Sequence, residues 1–344
     1  MAHIFKKFNP TTQQKAIIVF THKELSFMDA LPANINDYAQ VGVHYGSASH
    51  LNGAVKHKYQ NFCMGAESTV MFNGEQPFRI PFNSRAFLSK NLYPDPNVKK
   101  HWDIINVSRN AHVKRLDTFL MSIRKLYDLG YNYKVLLVVP STTLESHSTH
   151  HIDIVEKYDK MFNKTEKNNF TLLRLSKELG FLGISPSTIE YFYKSSKIFN
   201  LLSSAEGESR VIHEALLCGL PIVCYSGLLG GGRDYLNPTN SIQFDDYNKI
   251  HESFIEGIEN YDKYTVDTDY LSQELREDKT VEQLKNYFSE LYSDFDRELI
   301  NTDELCLRLP GHYLDVPWNI DKENSKTADI RNMEQLKKFI RELL

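Results

Sequence analysis

The chain lacks the features that mark several large classes of protein. It holds four cysteines, Cys63, Cys218, Cys224 and Cys306, and no two of them form a C-x-x-C pair. Zinc ribbons and thioredoxin-type redox sites therefore lose support. So few thiols in 344 residues fit buried, reduced cysteines in a reducing compartment. There is no excess of basic charge either. Lys plus Arg number 40 against 44 for Asp plus Glu, a formal net charge of -4. Nothing is left over to neutralise a phosphate backbone, which argues against a primary nucleic-acid binder. Long hydrophobic runs are missing. Ala16–Phe20 and Val135–Val139 have the length of buried strands, too short for a signal-peptide core or a membrane span, and the two lysines of MAHIFKKFNP have no apolar stretch behind them. The expected location is the cytoplasm, where the N-x-S/T triplets at Asn106, Asn163 and Asn169 carry no glycan. No internal repeat and no low-complexity tract is present.

What remains is 41% hydrophobic and 24% charged, the balance of a soluble globular protein, over a length that suits two domains. Ala16–Phe20 reads as a fully buried strand, with weaker strands at Gln40–Val43 and Thr69–Phe72 and a polar loop, Gly46–Gly53, between them. Asn91–Lys100, with Pro94, Asp95 and Pro96, reads as the linker. Beyond it the pattern becomes regular. Strands at Trp102–Val107, Lys134–Val139, Phe170–Leu175, Ile198–Leu202 and Leu220–Tyr225 alternate with helices at Leu116–Leu129, 152–162, Thr188–Ser196 and Arg210–Leu217. Gly130 and Gly219 stand where helices end. Apolar strands alternating with helices predict a parallel sheet covered on both faces. The last eighty residues read as charged helices with two apolar stripes, Val281 to Leu299 and Ile330 to Leu343, and a long loop, Leu309–Ser325, between them.

The chemistry concentrates in Leu201–Cys224. A strand ends near Leu202, a polar turn follows, and a helix begins near Ser209, a residue type that caps helices well. A helix start at the C-terminal end of a parallel strand presents free N–H groups and a positive dipole end, which suits a diphosphate. Glu206 precedes this start and Glu214 lies eight positions later on the helix. Carboxylates beside a phosphate site serve best as acceptors for sugar hydroxyls, and a pair flanking a diphosphate suits a nucleotide-sugar. The same pair, taken without its surroundings, also fits an exposed helix face.

The stretch Ser203-Ser204, Glu206-Gly207, Val211, Glu214-Ala215 and Gly219-Leu220-Pro221-Ile222-Val223 resembles the E-x7-E motif of glycosyltransferase family 4, retaining enzymes of the GT-B fold. Two further segments are similar to family motifs in the family's order. Asn106–Arg115 carries Arg109 and Lys114 five apart between a strand and a helix, and Phe181-Leu182-Gly183-Ile184 matches the turn that holds the nucleobase. The resemblance spans residues 102 to about 236. Glu208 replaces the family's usual aromatic residue and Ser209 its frequent glycine. Thr21-His22-Lys23 stands where the family usually carries a Gly-Gly loop.

The resemblance implies an α/β architecture of two Rossmann-like domains facing a cleft: a reduced N-terminal acceptor-side domain over residues 1–100, a nucleotide-sugar-binding domain over 101–265, and a helical segment over 266–344 whose last helix returns to the N-terminal domain. It implies transfer of a hexose from a donor such as GDP-mannose or UDP-glucose to an unidentified acceptor (a glycan, a glycoprotein or another molecule), with retention of configuration and no metal. Arg109, Lys114 and Glu206 become the catalytic candidates. Glu214, Ser209, Arg210, Gly207, Gly183 and Ile184 become the nucleotide-sugar contacts. A histidine of the N-terminal domain often touches the donor sugar in this family, and His44 and His50, read as polar-loop residues, are both candidates. Asp267-Thr268-Asp269 and Asp294-Phe295-Asp296 match the D-x-D of metal-dependent GT-A enzymes but lack a preceding strand, and His147, His150 and His151 read as a polar loop. Two alternatives stay open: a GT-B nucleotide-sugar epimerase, and a non-catalytic nucleotide-sugar-binding protein.

Overall fold

The computed structural model of the chain describes residues 2–6, 8, 10–45, 53–64, 72–80, 88–89, 91–139, 153–175, 184–275, 277–291, 329–330 and 333–343. The chain divides into two compact units. Met1–Leu88, Glu274–Leu344 and the tripeptide Gly207–Ser209 form the first, and Ser89–Glu206 with Arg210–Gln273 the second.

In the first unit, β1 (Ala2–Lys6), β2 (Ala16–Thr21), β3 (Ala39–His44), β4 (Phe62–Met64) and β5 (Phe78–Ile80) lie side by side in that order. From β2 to β5 the pairing is parallel, whereas β1 runs antiparallel to β2. Ala16–Phe20 is fully buried, as its unbroken apolar character predicts. The two-residue strand Asp329–Ile330 pairs antiparallel with β1, Ala2 opposite Ile330, so Ile330 belongs to a strand and not to the helical stripe expected for it. The helix that follows, Met333–Leu343, sets Leu336 and Ile340 into one cluster with Ala16, Ile18, Phe20 and Val41. Those two positions are four apart and share a helix face. Of the other expected stripe, Leu284 and Phe288 are buried on the Glu277–Leu291 helix, and Phe288 meets Phe62 edge to face. Phe295, Leu299 and the expected loop at Leu309–Ser325 lie outside the described residues, as do Thr69–Met71.

The second unit contains a six-stranded sheet in the order β8-β7-β6-β9-β11-β13: β6 (Trp102–Val107), β7 (Val135–Val139), β8 (Phe170–Arg174), β9 (Ser196–Leu201), β11 (Ile222–Tyr225) and β13 (Ser241–Phe244). All five pairings are parallel. Helices at Leu116–Asp128, Ile154–Met161, Pro186–Lys194 and Arg210–Leu217 fall where the apolar spacing predicts them. On the first, Leu116, Phe119, Leu120, Ile123 and Leu126 are buried. Phe119 meets Phe170 and Phe254 edge to face, and burying such a side chain contributes about 2 to 3 kcal/mol. Gly130 ends this helix at φ +88°, a left-handed conformation that favours glycine.

In the second unit two regions depart from the sequence reading. The turn after β9 contains a short strand, β10 (Ala205–Glu208), which pairs with β12 (Leu229–Gly231). Neither segment alternates in polarity, so only the partner creates the strand. The second departure is the edge strand β13, four residues long and followed at Ile250–Glu259 by a helix that packs Ile250, Phe254 and Ile258 into the core.

Candidate functional site

The order of the sheet fixes where a site belongs. The chain starts in the middle, at β6, winds outward through β7 and β8, then crosses to β9 and winds the other way through β11 and β13. The loops leaving β6 and β9 therefore diverge to opposite faces, and the crevice at their C-terminal ends is the topological switch point where doubly wound sheets bind ligands. The two strands are neighbours, Ile105 opposite Phe199. Just beyond that pair, Asn106 donates from Nδ2 to Oδ1 of Asn200 (2.7 Å), and Asn200 donates to the Ile105 carbonyl (3.0 Å). Both asparagines are fully buried, which closes Asn106 to glycosylation in the folded chain.

The loop after β6 carries Arg109 and Lys114. Ser108 donates its N–H to the Val138 carbonyl (3.0 Å) and continues the sheet for one residue. A single 3-10 turn, His112–Lys114, follows, and Arg115 sits at φ +50°, a left-handed conformation unusual for a residue with a Cβ. This kink joins the turn to the Leu116–Asp128 helix and leaves the Lys114 side chain 10% exposed, where its ammonium pairs with the Glu206 carboxylate, itself 12% exposed. Arg109 is exposed and pairs with no described side chain.

Glu206 is held by its backbone. Leu229 donates its N–H to the Ser204 carbonyl (3.0 Å), starting the β10–β12 ribbon. Gly230 stands at φ +108°, and a Cβ built there would lie 1.9 Å from the Glu206 carbonyl oxygen. Only glycine permits that approach.

Glu214 lies on the Arg210–Leu217 helix and is buried. Its Oε1 accepts from Arg210 Nε (2.8 Å), four positions earlier, and its Oε2 accepts from the Tyr193 hydroxyl (3.0 Å). Complete burial, followed by the Glu214 charge, pushes the Tyr193 phenol far above its ordinary range, so it stays a neutral donor.

The structure thus brings Lys114 to Glu206 and Arg210 to Glu214. Ser209 directly precedes the helix, but its buried Oγ has no hydrogen-bond partner among the described residues, so the expected side-chain cap is not formed. Gly207 lies within β10. Ile184 is half-buried before Ser185, whose hydroxyl accepts from the Thr188 N–H (3.2 Å) and caps the Pro186–Lys194 helix. Gly183, His50, His147, His150, His151, Asp294 and Asp296 lie outside the described residues. His44 is not in a loop: it is the buried last residue of β3, because the apolar run Val41–Val43 carries the strand to its end. Asp267 accepts from the Tyr270 N–H (2.9 Å) at the start of the Thr268–Leu275 helix, which gives that carboxylate a structural use. Cys63, Cys218 and Cys224 are free and buried. Burial raises the last two to about 12, which leaves them unreactive thiols. The Gly230–Gly232 run and the two asparagines in otherwise apolar strands were the signals that sequence reasoning passed over.

Solved structures at low identity share this architecture. The chain is similar to a pneumococcal O-GlcNAc transferase, GtfA, solved with UDP and GlcNAc (TM-score 0.55, 13% identity, 78% of this chain and 55% of that one). It is also similar to TarM (TM-score 0.56, 14% identity, 79% and 54%). A third likeness is to the sucrose-phosphate synthase of Thermosynechococcus elongatus (TM-score 0.59, 12% identity, 81% and 74%). The chain spans about half the length of the first two. No curated protein sequence matches it. The fold is the GT-B fold of glycosyltransferases. The sequence model of the family described as Glycosyl transferases group 1 matches residues 92–266, and the chain belongs to that family.

Proposed function

We propose that the protein is a retaining hexosyltransferase of the family 4 type, which moves a sugar such as mannose or glucose from a nucleoside-diphosphate donor to an acceptor without a metal ion. The observation that carries this reading is the Lys114–Glu206 pair at the switch point, made by residues 92 positions apart in the chain.

The chemistry follows from where charge develops. As the bond from the anomeric carbon to the diphosphate breaks, negative charge grows on the leaving oxygen, and a fixed cation that strengthens its contact then lowers the barrier. Lys114 supplies that cation from a largely buried position, where its charge is poorly screened. Arg109, exposed on the same loop, supplies a second. Glu206 keeps Lys114 in place before the donor arrives and accepts hydrogen bonds from the donor-sugar hydroxyls. The N–H groups that open the Arg210–Leu217 helix suit the diphosphate, and Ser209 before the helix and Gly207 within β10 are the neighbouring contacts this reading assigns to the donor. Glu214, aligned by Tyr193 and Arg210, accepts from the ribose hydroxyls, and the backbone at Gly183 and Ile184 reads the base. The acceptor oxygen attacks the face the diphosphate leaves, and its proton passes to the departing diphosphate, which gives retention. Two cations and a helix start take the place a divalent ion holds in D-x-D enzymes. The first unit, built on β1–β5, would bear the acceptor side, and the few buried thiols fit a cytoplasmic location.

Incubation with a panel of nucleotide-sugars in EDTA tests the proposal. The expected result is slow release of nucleoside diphosphate and a sugar product whose anomeric proton signal matches the donor's configuration. Lys114→Ala should lower the rate at least about 100-fold, the loss typical of one transition-state donor. Donor binding with no turnover under any acceptor indicates a non-catalytic sugar-nucleotide binder, and interconversion of the sugar without an acceptor indicates an epimerase.

A further inference from the structure

One side chain outside the motifs touches both loops of the switch point. Tyr247 lies in a single 3-10 turn, Tyr247–Lys249, just after β13. Its hydroxyl donates to the Leu202 carbonyl (3.1 Å), the last residue before the turn that carries Glu206. The Arg115 guanidinium lies over its ring, 4.1 Å from the centroid. Arg115 follows Lys114 directly and occupies the left-handed kink. The ring itself is fixed by Tyr225, stacked at 5.0 Å, and by Phe244, edge-on at 5.2 Å.

We propose that Tyr247 is a positioning residue that holds Lys114 and Glu206 in register by clamping both of their loops at once. A left-handed residue with a Cβ persists only where its surroundings determine it. The cation on the ring supplies that determination on the Lys114 side, because the stack fixes where the Arg115 side chain lies and so favours the kink. The hydroxyl supplies it on the Glu206 side, since it satisfies a carbonyl at the point where β9 gives way to the turn. Without the clamp the two loops keep the β6–β9 pairing beneath them, and the Lys114–Glu206 ion pair has to hold their tips together. The inference rests on the reading of Lys114 and Glu206 as the donor site for its catalytic consequence, not for its structural one.

A double-mutant cycle tests it, with Tyr247→Phe, Tyr247→Leu, Lys114→Ala and Lys114→Ala combined with Tyr247→Leu. Donor turnover and urea unfolding midpoints are measured for each. Tyr247→Leu should lower kcat about tenfold or more with KM changed less than about threefold, and on the Lys114→Ala background it should change kcat by less than about twofold, because residues acting through one another are non-additive. Tyr247→Phe, which keeps the ring under Arg115, should fall between wild type and Leu. Losses in kcat that multiply in the double variant overturn the proposal. If the wild type turns over no donor, the glycosyl-transfer reading fails by itself, and the urea series still decides the clamp. Midpoint shifts that are smaller together than their sum support it, and shifts that add refute it.

Discussion

Gly230 shows how much of this site depends on a single hydrogen atom. Its φ of +108° and the 1.9 Å approach of its missing Cβ to the Glu206 carbonyl leave an alanine no room. Gly230→Ala must open the β10–β12 ribbon and move Glu206 away from Lys114. The expected cost is about 1 to 3 kcal/mol of stability and at least a tenfold loss of donor turnover, read by urea unfolding and steady-state kinetics. An alanine variant that is as stable and active as wild type would show that the backbone contact does not place Glu206. At this scale the sequence was partly legible. Lys114, Glu206 and Glu214 stand out by residue type and spacing. The partners that orient them do not: Tyr193 and Gly230 act through burial and close approach across more than twenty positions, and neither has a local signature. Arg109 shows the converse, a residue legible in the motif that the fold leaves exposed without a described partner.

Among the elements, the helices of the second unit were readable because burial on one face imposes a period, and its central strands because burial on both faces makes them short unbroken apolar runs. The Leu116–Asp128 helix and the strand Val135–Val139 fall within a residue or two of expectation. The ribbon of β10 and β12 was not readable, because its pairing joins polar and glycine residues that carry no period. The Ile250–Glu259 helix offers a test of its packing. Burial first, and then the charge of Lys125 on the facing helix, hold His251 below its ordinary value of 6.5, with Glu252 opposing. The sign follows from linkage. The neutral ring is favoured in the fold, so the unfolded chain binds the proton more readily. The contribution is complete above about pH 6.5 and is lost as the pH falls below it. Urea midpoints measured between about pH 7.5 and 5 should fall more for the wild type than for His251→Gln. Equal falls would show that the histidine titrates as freely in the fold as in the unfolded chain.

For the whole molecule, the two units are unequal in what they reveal. The second is wound in both directions from β6 and is matched by the family over residues 92–266. The first mixes parallel and antiparallel pairing and takes its edge strand and the Met333–Leu343 helix from a part of the chain more than 300 residues from β1. Such long-range pairing leaves no trace in local periodicity, which is why β1 and the Asp329–Ile330 strand were not foreseen. Among the described residues no helix is long and apolar enough to cross a membrane.

If Lys114 is the essential cation of a nucleotide-sugar site at the switch point of the second unit, its removal weakens donor binding. A calorimetric titration of the full chain with UDP- and GDP-sugars in EDTA, wild type beside Lys114→Ala, tests it most directly. One site per chain is expected for at least one donor, filled without metal, and weakened at least tenfold in the variant, a change of about 1.4 kcal/mol. Equal affinity in the two proteins, or binding that appears only when a divalent cation is added, would contradict it.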